Sequence, residues 1–160
     1  HGNLDAAEIA EEASGLLAPF ESPGTENPYL VTQELQAVMQ EGAMIARTEE
    51  GLSGCLQKVL ELQERARNLH VEGTRLYNPG WHTARDIMNM LKVSEIIVRC
   101  ALERRESRGA QWRLDYPDPD PQWGKKNLVA SKGPDGSVQI KTKPVPEMPA
   151  ELAALFEVKK

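Results

Sequence analysis

Arg104, Arg105, Arg108 and Arg113, with Arg99 just ahead of them, place five guanidinium groups within fifteen residues. Trp112, Tyr116 and Trp123 follow at once, with Gln111 and Asp115 set among them. Guanidinium groups pair with carboxylates through two parallel hydrogen bonds and stack on aromatic rings. Such a cluster could bind an anion in a catalytic patch, grip nucleic-acid phosphates, or form a docking seam against protein. The net charge of −5 argues against nucleic acid, because residues 99–113 carry only a local +3 and the remainder −8. Other candidate chemistry is thinner. Asp115, Asp118 and Asp120 could suggest a calcium loop, but the required glycine and closing glutamate are missing and prolines stiffen the segment. His70 and His82 stand singly and read as surface or capping residues. Ser107 lacks the G-x-S-x-G setting of a nucleophile. Cys55 and Cys100 form no C-x-x-C pair and read as small buried hydrophobes of a reducing compartment. No catalytic, cofactor-binding or metal-ligating residue is therefore assigned. The assignment is a docking seam: Arg104, Arg105, Arg108, Gln111, Trp112, Arg113, Asp115, Tyr116 and Trp123.

The elements that position this seam are mainly helical. A short first helix is predicted over 4–17, with Asp5 as N-cap, before a loop over 18–29 that contains three prolines. Three longer amphipathic helices follow, over about 30–46, 49–69 and 81–106. Val31, Leu35, Val38, Met39 and Ile45 line the first of these. Leu52, Cys55, Leu56, Val59, Leu62, Ala66 and Leu69 line the second, which Thr48 caps. Ala84, Ile87, Met88, Leu91, Ser94, Ile97, Val98, Ala101 and Leu102 favour one side of the third, with Gly109 as its stop. Leu56, Leu91 and Val98 are expected at the axis. After Gly109 "YPDPDPQW" runs extended, and Leu128–Ser131 with Val138–Thr142 read as a β-hairpin around "KGPDG". A Pro-rich exit and a short helical end close the chain. The fold expected is mainly α: an up-down-up three-helix bundle with an extended C-terminal tail containing a hairpin. Its parts are residues 1–26 (helix and linker), 27–108 (bundle) and 109–160 (tail). All eight aromatic residues lie outside the helix bodies 31–46, 49–69 and 83–105, so the core is aliphatic and the large anchors sit at its margins. No run approaches the ~18 apolar residues of a membrane span. Direct membrane insertion is not expected, and a cytoplasmic location is. The chain opens on His1 instead of methionine, so either an end has been removed or the chain is a piece of something longer.

Two stretches, "NPYLVTQELQAVMQEGAMIARTEEGL" and "DIMNMLKVSEIIVRCALERRESRGAQWRLDYPDPDPQWGKKNLV", resemble the C-terminal helical domain of succinate dehydrogenase/fumarate reductase flavoproteins. The likeness runs over about 25–145. It is carried by Asn27-Pro28, Glu34-Leu35-Gln36, Arg47/Glu49/Leu52, Asn89-Met90, the block Glu106 to Ala110, Arg113/Asp115/Tyr116/Pro117 and Trp123/Lys125. Most members have His where this chain has Gln111, an amide that cannot titrate near neutral pH. The resemblance implies a noncatalytic part of a parent enzyme that exchanges hydride and proton between succinate/fumarate and FAD. It implies partners in the flavin-binding domain of the same polypeptide and in an iron–sulfur subunit, with the parent on the cytoplasmic face of a membrane. The dinucleotide fingerprint and dicarboxylate-binding residues of that family lie upstream, and no cofactor is assigned to this chain. L-aspartate oxidase has a similar C-terminal domain. A freestanding helical interaction module with a basic docking end is the alternative from another class.

Overall fold

The computed structural model describes residues 5–157, so Leu4 lies outside the described residues. The chain is mainly helical, with a small hairpin near its C-terminus. Helix α1 spans Ala6–Glu21, and the Asp5 carboxylate accepts from the Ala7 N–H at its start. The predicted loop from residue 18 begins later than expected because the helix continues through Pro19. Proline deprives only the Gly15 carbonyl of its partner, and Gly15 is exposed to water. That last turn is also pinned from outside. Trp81 Nε1 donates to the Leu16 carbonyl at 2.6 Å, and the Val71 N–H to the Pro19 carbonyl at 2.9 Å.

Helix α2 is Pro28–Gly42. Asn27 caps it and Pro28 fills the first position, where a missing N–H costs nothing. It stops before the predicted 46, and Ile45 is exposed instead of lining the core. Two contacts end it. Arg47 Nε folds back to the carbonyls of Ala43 and Met44. Gly42 lies against α3, where a side chain would bring its Cβ to 2.5 Å from Cys55 Cβ. The chain then forms strand β1 (Ala46–Arg47) and helix α3 (Glu49–Arg65), capped by Thr48 as the sequence predicts, with a 3-10 turn over Ala66–Asn68. Helix α4 is Pro79–Glu103; the Asn78 side chain accepts from the Trp81 N–H, so the Asn-Pro start recurs. Strand β2 (Trp112–Arg113) pairs in parallel with β1, Ala46 opposite Trp112 and Arg47 opposite Arg113. Strands β3 (Lys126–Lys132) and β4 (Val138–Pro144) form the hairpin, with Ala130 opposite Ile140. Helix α5 is Ala150–Glu157.

Helices α2, α3 and α4 pack on one another, and α1 and the hairpin lean on α4. The core is Val31 and Leu35 of α2, Leu52, Cys55, Val59 and Leu62 of α3, and Ala84, Ile87, Leu91, Val98 and Ala101 of α4. Leu91 and Val98 are buried as expected, whereas Leu56 is half-buried at the edge. Met88 and Ile97, expected on the apolar face of α4, are exposed. At one end Arg65 clamps α3 to α2: it pairs with Glu26 at 2.9 Å and with Glu34. Hydrogen bonds and attraction from that arginine outweigh desolvation and hold both carboxyls below their ordinary values.

Candidate functional site

The arginine-rich stretch occupies the opposite end, where α4 stops and α3 starts. Its centre is Arg113, whose side chain is 0% exposed. The expectation that Arg113 faces a partner surface is therefore corrected. Its Nε and Nη2 donate to the two oxygens of Asp115, each at 2.8 Å. Nη2 also reaches Glu49 Oε2 at 2.8 Å, and Nη1 reaches the Ala101 carbonyl at 2.8 Å. The guanidinium lies 4.9 Å from the centre of the Tyr116 ring. Burial is tolerable because the charge is paired and the donors are used. Leu114 and Asp115 form a turn closed by the Tyr116 N–H to the Arg113 carbonyl at 3.2 Å, which folds Asp115 back onto Arg113.

This pair joins two helix ends. Asp115 Oδ2 accepts the backbone N–H of Glu49 at 2.8 Å, at the positive N-terminus of α3. Arg113 meets the orphan carbonyls at the negative C-terminus of α4. The Arg113 hydrogen bonds, against the effect of desolvation and helped by the Glu49 N–H, hold Asp115 down from 3.8 to about 2. Gln111 completes the cap: its Nε2 donates to the carbonyls of Ala101 and Arg104, and its Oε1 accepts from Arg47. So α4 ends at Glu103 and not near Gly109, because the returning chain caps it there. Gly109 instead takes φ +60 in the turn beyond.

A second acid, Glu106, is 0% exposed and organises the other arginines. Arg104 pairs with its Oε1, Arg108 reaches it through Nε and Nη2 at 3.0 Å each, and the Asp120 N–H donates at 2.8 Å. Burial raises its carboxyl, but Arg108, the Asp120 N–H and Arg104 outweigh that and hold it below its ordinary value. Arg104 also stacks 5.2 Å from the centre of the Trp123 ring, which Lys126 approaches at 5.7 Å. Ser107 is structural in its contacts: Oγ accepts the Arg113 N–H at 2.8 Å and lies 2.9 Å from the Tyr116 carbonyl. His70 Nδ1 sits 2.8 Å from the Ser22 carbonyl, and His82 lies edge-on to Trp81. The described residues hold no cluster of three metal-ligating side chains.

The structure thus brings Arg104, Arg108, Gln111, Arg113, Asp115, Tyr116 and Trp123 into one intramolecular staple. Arg105 stays largely exposed, 3.9 Å from Glu49, and Trp112 is exposed. Sequence reasoning omitted Arg47, Glu49, Glu106 and Asp120 from the cluster. Glu106 did carry a signal: one acid lies within reach of Arg104 and Arg108.

A helical domain closed by an ion-paired tail is what the fold and the staple define. The sequence model of the family described as "Fumarate reductase flavoprotein C-term" matches residues 32–155. The chain belongs to that family. It is 32% identical over 128 residues to an uncharacterized FAD-dependent oxidoreductase of Methanocaldococcus jannaschii, covering 80% of this chain and 22% of that protein. It is 33% identical over 113 residues to the succinate dehydrogenase flavoprotein subunit of Bacillus subtilis, covering 69% and 20%. An L-aspartate oxidase of Streptomyces coelicolor is 30% identical over 115 residues, covering 72% and 20%. Among solved structures, Mycobacterium smegmatis Sdh1 in complex with UQ1 superposes with a TM-score of 0.86 and 38% identity, over 98% of this chain and 27% of that one. The chain therefore spans about a fifth to a quarter of the length of these relatives. At β1–α3 a strand runs into a helix, but the link is Thr48 without a glycine-rich turn and the Asp115 carboxylate already occupies the helix N-terminus, so that junction does not fit an FAD phosphate.

Proposed function

We propose that this chain is the C-terminal structural and docking domain of a flavoprotein that interconverts succinate and fumarate with FAD. The observation that carries the reading is the family match over residues 32–155. FAD and the dicarboxylate belong to a flavin-binding domain of the same polypeptide, and an iron–sulfur subunit takes the electrons. Within this chain α2, α3 and α4 run as an up-down-up bundle over 27–108, entered through the helix and linker of 1–26 and closed by the tail of 109–160. The outward part of the arginine and aromatic cluster, Arg105, Arg108 and Trp112, docks on the rest of the parent, together with any outer edge of Arg104, Trp123 and their neighbours. The parent sits on the cytoplasmic side of a membrane as part of a complex; among the described residues no helix is long and apolar enough to cross one.

The test is direct. The full-length polypeptide is purified, its flavin counted, and dye reduction measured with succinate and with L-aspartate as donors. Stoichiometric flavin with succinate-dependent reduction supports the reading. Aspartate-dependent reduction would replace it by the L-aspartate oxidase reading, which the 30% identity to the Streptomyces coelicolor enzyme favours as the second choice. A full-length protein without flavin refutes both.

A further inference from the structure

Helix α4 is apolar on two sides. Ala84, Ile87, Leu91, Val98 and Ala101 face the core and are buried. Each residue turns a helix by about 100°, which sets Met90, Val93 and Ile97 together on a different face, with Ile96 and Cys100 at its margin. Met90 is 37% exposed, Val93 54% and Ile97 42%. Ile96 and Cys100 are half-buried. The hairpin and α1 lean on other flanks of the helix: Val138 and Ile140 lie beside Arg99 and Leu102, and Ala18 and Pro19 beside Arg85 and Met88. A surface helix carries charged residues opposite its buried stripe; α4 confines Lys92, Arg99 and Glu103 to one flank and leaves an apolar face open beside them. The exposed face has the layout of an interface, with an apolar centre and polar ends. Asp86 and Asn89 lie toward its start, and Arg104 and Arg105 beyond its finish.

We propose that this outer face of α4 is the seat of the upstream part of the same flavoprotein polypeptide, so that α4 is an interior helix of the whole protein. The inference rests on the function proposed above. The matched region is about a fifth to a quarter of one polypeptide in each relative described, and the family description places it at the C-terminus. The larger upstream part is therefore covalently tethered to this domain. A tethered partner is present at an effective concentration of up to millimolar order. A second copy or a separate subunit must instead reach the face from dilute solution. The Arg105, Arg108 and Trp112 seam then forms one edge of a contact whose centre is Val93 and Ile97.

Two measurements on the full-length flavoprotein test this. In the first, a benzophenone amino acid replaces Ile97, with Glu61, exposed on α3, as the control position. After irradiation, cross-linked peptides are identified by mass spectrometry. The expected product joins position 97 to a peptide upstream of this domain within one chain, running at monomer mass on a denaturing gel. Cross-links to a second copy or a separate subunit, or none above the Glu61 control, overturn the proposal. In the second, Ile97→Cys is labelled with a maleimide under native conditions, and the labelled peptide is quantified. Labelling in the full-length protein is expected to be at least tenfold slower than in this chain alone; equal rates overturn the proposal. Both readouts are independent of flavin. Bound flavin with cross-links elsewhere would sink the α4 seat and leave the proposed function standing, whereas missing flavin would sink that function itself.

Discussion

Replacing Arg113 by methionine removes a charge that nothing else in the domain can supply. Three groups lose their partner at once: Asp115, Glu49 and the Ala101 carbonyl. Breaking a buried ion pair by deleting one member costs about 3–5 kcal/mol. The abandoned carboxylates are not sealed in, since the Asp115 side chain is 29% exposed and Glu49 is 48% exposed. Water can reach both, which puts the expected loss near the lower end, about 3 kcal/mol. The Asp115 share has its own estimate. A fall from 3.8 to about 2 corresponds to on the order of 2 kcal/mol. Because the folded-state value is depressed, that contribution is fully present above the unfolded value and disappears as pH falls from about 4 toward 2. The assay is urea denaturation of the wild type, Arg113→Met, Asp115→Asn and the double variant, at neutral pH and at intervals down to pH 2. The expected coupling is on the order of 2 kcal/mol at neutral pH, vanishing at the acid end. Zero coupling, or an unchanged Arg113→Met midpoint, would refute the staple.

Two further outcomes follow from packing. Leu91→Ala opens the centre of the core and should cost about 2–5 kcal/mol, whereas Leu152→Ala on the exposed face of α5 should stay within about 0.5 kcal/mol; equal denaturant midpoints would contradict the core described here. Gly42→Ala places a methyl against Cys55 and the Gly51 carbonyl, so overpacking should cost about 1–3 kcal/mol, read from the same denaturation curves, and no loss would mean that α2 and α3 are farther apart.

Helix bodies were legible because burial repeats with the helical period. Val31 with Leu35, and Leu52 with Val59 and Leu62, lie where the spacing places them. Helix ends were less so. Thr48 and Asp5 cap through neighbouring residues, and the sequence shows them. The end of α4 is set by Arg113 and Gln111, which arrive from outside the helix, and local rules expected Gly109 instead. Local rules make Pro19 a break, whereas its effect depends on whether the Gly15 carbonyl can reach water. The arginine cluster was visible as charge, but side-chain direction was not. Arg113 points inward because its own neighbour Asp115 and the distant Glu49 meet it there. Arg105 and Trp112 remain outside, because no acid or ring among the described residues encloses them as Asp115 and Glu49 enclose Arg113.

The staple also fixes an order of assembly. Glu49 and Arg113 are 64 residues apart in the chain, so their contact closes a long loop, and the chain entropy lost in closing it must be recovered by contacts formed earlier. Helices α2, α3 and α4 can gather first through their aliphatic faces. Until residues 113–115 arrive, the Glu49 N–H at the start of α3 and the last carbonyls of α4 have only water as partners. On a ribosome, which makes chain from the N-terminus onward, both ends stay open until residues 113–115 have left the exit tunnel. The segment that closes these two helix ends is thus made after all three bundle helices, and a nascent chain truncated just before it holds its hydrophobic core with two frayed helix ends.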